Sequence, residues 1–286
     1  SPPTSLFIGG ASHLLGGRSV KMYIMPDPHR TMGLSTRELR ELFLMEDLFT
    51  PGQITLAYCD VDRTIVGSAV PGDGNLTLAT AAERRADYFL QRRELGILNI
   101  GGKGTVAADG QTFEMDNLDC LYVGRGMKSV QFAGAGQYYL ISYPAHTSYP
   151  TTQAKKANAT AVPLGSQATA NKRTIYKYIH ADGIKSCQLV MGFTVLDEGS
   201  VWNTMPPHTH ARRSEIYMYF DMKPDTRVMH FMGAPQETRH LVIADKQVVV
   251  SPSWSVHAGC GTGAYAFCWA MGGESQAFDD MEAAPV

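Results

Sequence analysis

The sequence predicts an all-β protein of two similar β-barrels with a few short helices. Helical periodicity is scarce, apolar and polar residues alternate in short runs, and turn residues break those runs about every eight to twelve positions. The 28 glycines among 286 residues fit this reading, because tight β turns need a positive φ that glycine adopts cheaply. With 44% hydrophobic and 18% charged residues, a buried core is available and a disordered chain is excluded.

The elements follow in chain order. Residues 1–21 carry Ser-Pro-Pro, Gly9-Gly10 and Gly16-Gly17; they read as a leader before Met22 and bear no functional argument. Residues 35–45 read as a helix, with Ser35 as N-cap, Glu38 at the capping-box spacing, and Leu39, Leu42 and Phe43 on one side. A second short helix is expected over 79–84. Residues 54–58 alternate as a strand, 98–114 read as strand, turn, strand, turn, strand, and 119–126 as a strand ending on a Gly turn. Residues 151–171, rich in Ala, Thr, Ser and Lys, read as a linker. Runs at 228–233, 241–244 and 248–254 repeat the rhythm of the first half, and 264–269 alternates again. The expected organisation is an N-terminal, metal-free barrel over 22–150, a linker over 151–171, and a metal-binding barrel over 172–286, with barrel bodies at 50–150 and 172–276.

Composition narrows the function. A net charge of −2, with Arg92-Arg93 and Arg212-Arg213 as isolated pairs, argues against a nucleic-acid partner. No run of about 18 apolar residues exists to span a membrane. Five cysteines, an odd number without CxxC spacing, argue against a disulfide framework or zinc ribbon and for a reducing compartment. The N-terminus lacks the order of features a signal peptide needs, and Gly-Gly-Lys-Gly at 101–104 lacks the P-loop spacing.

The chemistry concentrates in residues 205–220. His208 and His210 are two apart, so on a strand both imidazoles point to one face. Glu215 lies an odd five residues further, so residues 211–214 need a turn or bulge to restore that face. Beyond it Glu215, Tyr217 and Tyr219 share one side, and Ile216, Met218 and Phe220 the other. A further histidine, His257, follows a turn 42 residues after Glu215. Three imidazoles and a carboxylate suit Zn²⁺, Mn²⁺, Fe²⁺, Ni²⁺ or Co²⁺, and leave a divalent ion net positive, as a Lewis acid must be. His146, His180, His230 and His240 read as structural histidines. Residues 54–143 contain none.

The HxHxxxxE pattern with a late His, set in small β-barrels, resembles the cupin superfamily. The runs 203–217, 236–240, 251–257 and 278–281, with 92–102 and 144–150 in the first half, resemble the 5-keto-4-deoxyuronate isomerases over about 35–281. That resemblance implies a cytoplasmic aldose–ketose isomerase of pectin and uronate breakdown, converting 5-dehydro-4-deoxy-D-glucuronate to 3-deoxy-D-glycero-2,5-hexodiulosonate. It implies a bicupin assembled as a hexamer, with one Zn²⁺ per chain on His208, His210, Glu215 and His257. Pro207 and Ser214 depart from the family pattern without touching a ligand.

Aldose–ketose isomerisation needs a base and a group that stabilises an oxyanion; a metal suits the second task. Glu237, in the polar cluster 236–240, is the candidate base, and a surface charge paired with Arg239 is the alternative reading. Arg173 and Lys177 alternate to one face of a strand and suit the substrate carboxylate, although a solvated edge strand would show the same pattern. Tyr217 and Tyr219 suit cavity hydrogen bonding or barrel filling alike. A metal-dependent oxidase or dioxygenase and a non-catalytic sugar-acid binder are the competing functions.

Overall fold

In the computed structural model, which describes residues 13–15, 18–81 and 84–284, the chain is β almost throughout. Each half pairs one large sheet with one four-stranded sheet. The first large sheet runs in the order Gln53–Cys59, Ile65–Val70, Tyr138–Pro144, Arg93–Asn99, Cys120–Val123, Thr152–Ala154. The second runs Arg173–Ile179, Val190–Leu196, Ala266–Gly273, Arg213–Phe220, Val248–Ser251, Leu44–Met45. The small sheets run Asn75–Thr77, Val130–Gly134, Gly104–Ala108, Gln111–Met115 and Trp202–Asn203, Ala258–Gly261, Val228–Ala234, Glu237–Ile243. His13–Leu15 and Arg18–Tyr23 extend the first large sheet and Thr160–Leu164 the second; over the remaining strands the orders correspond one for one, so the repeat suggested by turn spacing is present as topology. These are the two cupin-like barrels.

Three cores explain the layering. One fills the N-terminal barrel (Ile97, Val106, Phe132) and one the C-terminal barrel (Tyr219, Met232, Phe267). The third lies between the two large sheets and joins Tyr122, Tyr139 and Ile141 to Phe193, Ile216 and Met218. The alternation in Arg213–Phe220 thus has two apolar destinations: Ile216, Met218 and Phe220 face the other barrel, while Tyr217 and Tyr219 face their own interior. Arg93–Asn99 is likewise buried along its whole length. A strand covered on both faces reads as a continuous apolar run rather than an alternation, which is why the sequence showed only its end. Gly96 sits where the sheets approach: a Cβ there would meet Met191 Sδ at 2.7 Å.

Glu94 clasps the halves together. Its buried carboxylate accepts from Tyr122 Oη at 2.8 Å and from the backbone N–H groups of Cys187, Gln188 and Leu189 at 2.7, 2.9 and 2.9 Å. Asp62 adds a second link, accepting from the Ser214 backbone N–H at 2.9 Å.

Several local expectations are refined. The helix over 35–45 is Thr36–Phe43 with a complete Ser35–Glu38 capping box; Leu44–Met45 leaves it to pair with Val248–Val249. A helix the sequence reading missed, Pro28–Met32, starts on an Asp27 cap with Pro28 in its first turn. Residues 79–81 are not helical, and 82–83 lie outside the described residues. The segment 151–171 contributes one strand to each large sheet, Thr152–Ala154 and Thr160–Leu164. Of residues 1–21, 1–12 and 16–17 lie outside the described residues, while Lys21 begins a parallel pairing with Ala57. The five cysteines are unbridged. Among the described residues no helix is long and apolar enough to cross a membrane.

Candidate metal centre

His208 lies on the two-residue strand His208–Thr209, a turn at 211–212 follows, and Glu215 opens onto the barrel from Arg213–Phe220. The turn is the face-restoring break that the odd spacing demanded. His257 arrives immediately before Ala258–Gly261. The four side chains converge, each offering an atom within 4.8 Å of the others. Glu215 Oε2 is 3.0 Å from His210 Nε2 and 2.9 Å from His257 Nε2, and the Nε2 atoms of His257 and His208 are 3.1 Å apart.

The donor set fits a divalent ion. His210 Nδ1 lies 2.9 Å from the Arg213 carbonyl oxygen, which can only accept, so Nδ1 carries a proton. In the neutral ring, Nε2 then presents a lone pair to a carboxylate oxygen, an arrangement that calls for a cation between them. Ligands bonded at about 2.0–2.1 Å around a tetrahedral ion stand roughly 3.3 Å apart, close to the separations found. The Arg213 carbonyl also orients the His210 ring, as an outer partner of a metal-bound imidazole does.

Electrostatics divide the histidines. Burial, and then neighbouring His257, push His208 down to about 4, so it is neutral at physiological pH. Burial is the largest influence on His210 and works against its charge, but the contact with Glu215, the Glu215 charge and the Arg213 carbonyl together outweigh it and the net direction is upward. Glu215 is held well below the usual carboxylate range: burial opposes its charge, and the His257 charge with the two imidazole contacts overcomes it.

A cavity of about 400 Å³ opens beside His208 and Glu215. Arg173 and Lys177 both line it, so the structure brings the two expected cations to the cluster. Tyr217 lines it too, its hydroxyl 2.9 Å from Thr204 Oγ1. Tyr219 is turned deeper, 2.7 Å from Nδ1 of the buried His230. Glu237 is not brought there; it begins the exposed side of strand Glu237–Ile243 and does not line the cavity.

Sequence reasoning missed the C-terminal wall. Phe278 and Met281 line the cavity, and the Phe278 ring lies 5.0 Å from Lys177 Nζ and 5.3 Å from the Arg213 guanidinium. Asp280 takes Arg213 Nη2 at 2.8 Å and Nε at 3.1 Å in a buried pair. The strand Glu282–Ala283 pairs with His208–Thr209, tying the tail to a candidate ligand. The run 278–281 was conspicuous in the sequence, but nothing there named its partners.

A model of the KduI/IolB family matches residues 44–285. The chain belongs to that family. Among KduI/IolB relatives, a protein of Opitutus terrae named 4-deoxy-L-threo-5-hexosulose-uronate ketol-isomerase is 52% identical over 268 residues, covering 92% of this chain and 97% of its own. A Shouchella clausii protein of the same name is 53% identical over 253 residues, 87% of this chain and 92% of its own. In fold, the chain is similar to an IolB-like protein from Salmonella typhimurium, at TM-score 0.64 and 12% identity over 77% of this chain and 86% of that one. It is also similar to oxalate decarboxylase from Lactobacillus farciminis, at TM-score 0.51 and 11% identity over 77% and 78%.

Proposed function

We propose that this KduI/IolB family member is a ketol-isomerase of 4-deoxy-L-threo-5-hexosulose uronate, acting in pectin and uronate breakdown. The reading rests on one juxtaposition: a three-histidine, one-glutamate cluster opening into a cavity that also holds Arg173 and Lys177. The 52–53% identity to relatives of that name over most of the chain supports it.

The reaction moves a carbonyl from C1 to C2, so one proton passes from C2 to C1 and the hydroxyl proton passes from O2 to O1, while the carboxylate at the far end is untouched. Arg173 and Lys177 take that carboxylate and set which carbons face the cluster. Lys177 is steadied by the Phe278 ring. The Tyr217 hydroxyl, paired with Thr204 and raised well above the usual phenol range by burial, stays protonated and donates to a substrate oxygen. A divalent ion on His208, His210, Glu215 and His257, proposed as Zn²⁺, would supply Lewis-acid stabilisation of developing oxyanion charge. Glu237 is proposed as the proton acceptor, which from its exposed position requires the hairpin 228–243 to reach the cavity in the substrate-bound state. Glu237→Gln is expected to keep its metal and lose most turnover; an unchanged kcat eliminates it.

The deciding experiment is turnover of freshly prepared 4-deoxy-L-threo-5-hexosulose uronate with and without chelator. Product formation abolished by chelator and restored by zinc supports the isomerase with an essential ion. No turnover by metal-loaded protein overturns the reading. A cytoplasmic hexamer belongs to the same proposal, and light scattering that finds a monomer removes the assembly from it.

A further inference from the structure

The N-terminal barrel holds its own cavity, of about 540 Å³, at the end where its central strand carries the counterpart of Arg213. Strand register sets the correspondence. Pro144 opposite Arg93 ends one central pairing as Gly273 opposite Arg213 ends the other, and Leu95 opposite Val123 matches Glu215 opposite Ser251. Arg93 thus stands in the place of Arg213, and Leu95 in the place of Glu215. The ligand carboxylate is replaced by an alkyl side chain.

Arginines line this cavity: Arg84, Arg92 and Arg93, against apolar walls from Leu56, Ile65 and Phe89. No aspartate or glutamate is among its described lining residues. The equivalent arginines differ in their partners. Arg213 gives Nε and Nη2 to the Asp280 carboxylate. Arg93, 8% exposed, gives the same two nitrogens to neutral oxygens: Nε to Ser142 Oγ at 3.0 Å, and Nη2 to the carbonyls of Arg63 at 2.6 Å and Ser142 at 2.8 Å. Its Nη1 makes no hydrogen bond among the described residues. Arg92, on the exposed rim, gives Nη2 to the carbonyls of Arg84 and Arg85, its hydrogen bonds among the described residues. Burial, and then the charge of Arg84, push the Arg93 guanidinium down to about 9, still charged at neutral pH. Burial is the larger cause, and an anion beside this guanidinium would oppose it.

We propose that the N-terminal barrel cavity binds a small organic carboxylate, its charge taken by Arg93 and Arg92 and its apolar body laid against Leu56, Ile65 and Phe89. A guanidinium fork matches a carboxylate in geometry, and the cavity falls in the size range of small-molecule sites. Among its described lining residues there is neither a histidine nor a carboxylate, so the proposed ligand is held by the arginines rather than through a metal.

The test is a saturation-transfer NMR titration of the full chain, metal-loaded, with benzoate as probe and benzamide as its neutral isostere. Benzoate is expected to saturate with Kd on the order of 1 mM, as suits a fragment with one charge-assisted anchor. Benzamide should bind about tenfold or more weaker. Arg92→Ala, on the exposed rim, should weaken benzoate about tenfold without unfolding the chain, while Lys177→Ala, which removes any benzoate taken at the metal pocket, should leave the Arg92-dependent binding in place. Arg93→Lys, which keeps the buried charge but not the fork, should also weaken it. The proposal is overturned if benzoate does not saturate, if benzamide binds equally well, or if Lys177→Ala abolishes binding that Arg92→Ala retains. Each outcome is independent of whether the isomerase assay succeeds.

Discussion

His208, His210 and His257 aim their Nε2 atoms at one another and at a single carboxylate, a group that could hold a metal ion. Removing one ligand from four leaves the others in place but strips the ion of much of its affinity. His208→Ala and His257→Ala are therefore expected to purify with little bound metal and little activity; full occupancy in either variant, by metal analysis, would take that residue off the ligand set. His230 is a different kind of histidine. Fully buried, it is pushed down to about 3, mainly by burial and then by the charge of His257. The unfolded chain takes up a proton at this site below about pH 6.5 and the folded chain does not, so the stability it contributes is present above that pH and lost as pH falls toward 3. The loss is about 1.4 kcal/mol per pH unit, or roughly 2 kcal/mol between pH 6.5 and 5. Denaturant midpoints at those two pH values should fall further for the native protein than for His230→Gln; equal slopes would show that other groups carry the acid sensitivity.

At the scale of elements, the turn at 211–212 and the C-terminal tail build the site jointly. The turn was legible because an odd spacing between His210 and Glu215 cannot keep one face without a break. The tail was not, since the role of Asp280 depends on Arg213, 67 residues earlier. Arg213 is almost wholly buried, so its charge needs a counter-charge. Asp280→Asn leaves that guanidinium uncompensated and is expected to cost about 3–5 kcal/mol, read as a lowered Tm. It should also weaken metal binding, since an unpaired cation beside His210 repels a divalent ion. A variant with unchanged Tm and metal affinity would show that the pair is dispensable. Arg173 and Lys177 were legible as a one-sided pair, because strand periodicity is a local property, and the structure turns that side into the cavity.

Across the whole molecule, the two barrels share one apolar layer, and Glu94 is its polar bolt. Four donors from both halves meet this one carboxylate, and Glu94→Ala would leave them buried without an acceptor. At about 1–3 kcal/mol for each stranded group, the loss is expected to exceed about 3 kcal/mol. Chemical unfolding should show a lower midpoint or two separated transitions; an unchanged single transition would mean that apolar packing between the sheets holds the halves without it.

Local chemistry already determined the β class, the capped helix near residue 36, the break between His210 and Glu215, and the set of candidate ligands. Turn residues, capping boxes and two-residue periodicity act between neighbours in the chain, so they can be read in order. Only the tertiary structure decided that the 151–171 segment is divided between both sheets, that Glu94 joins the halves, that the tail walls the cavity, and that Glu237 stands outside it. It also decided that Arg93 and Arg213, alike in place, differ in their partners. A charged side chain is defined by what lies within a few ångströms of it, and in a molecule built from non-local strand pairings those neighbours come from distant parts of the sequence.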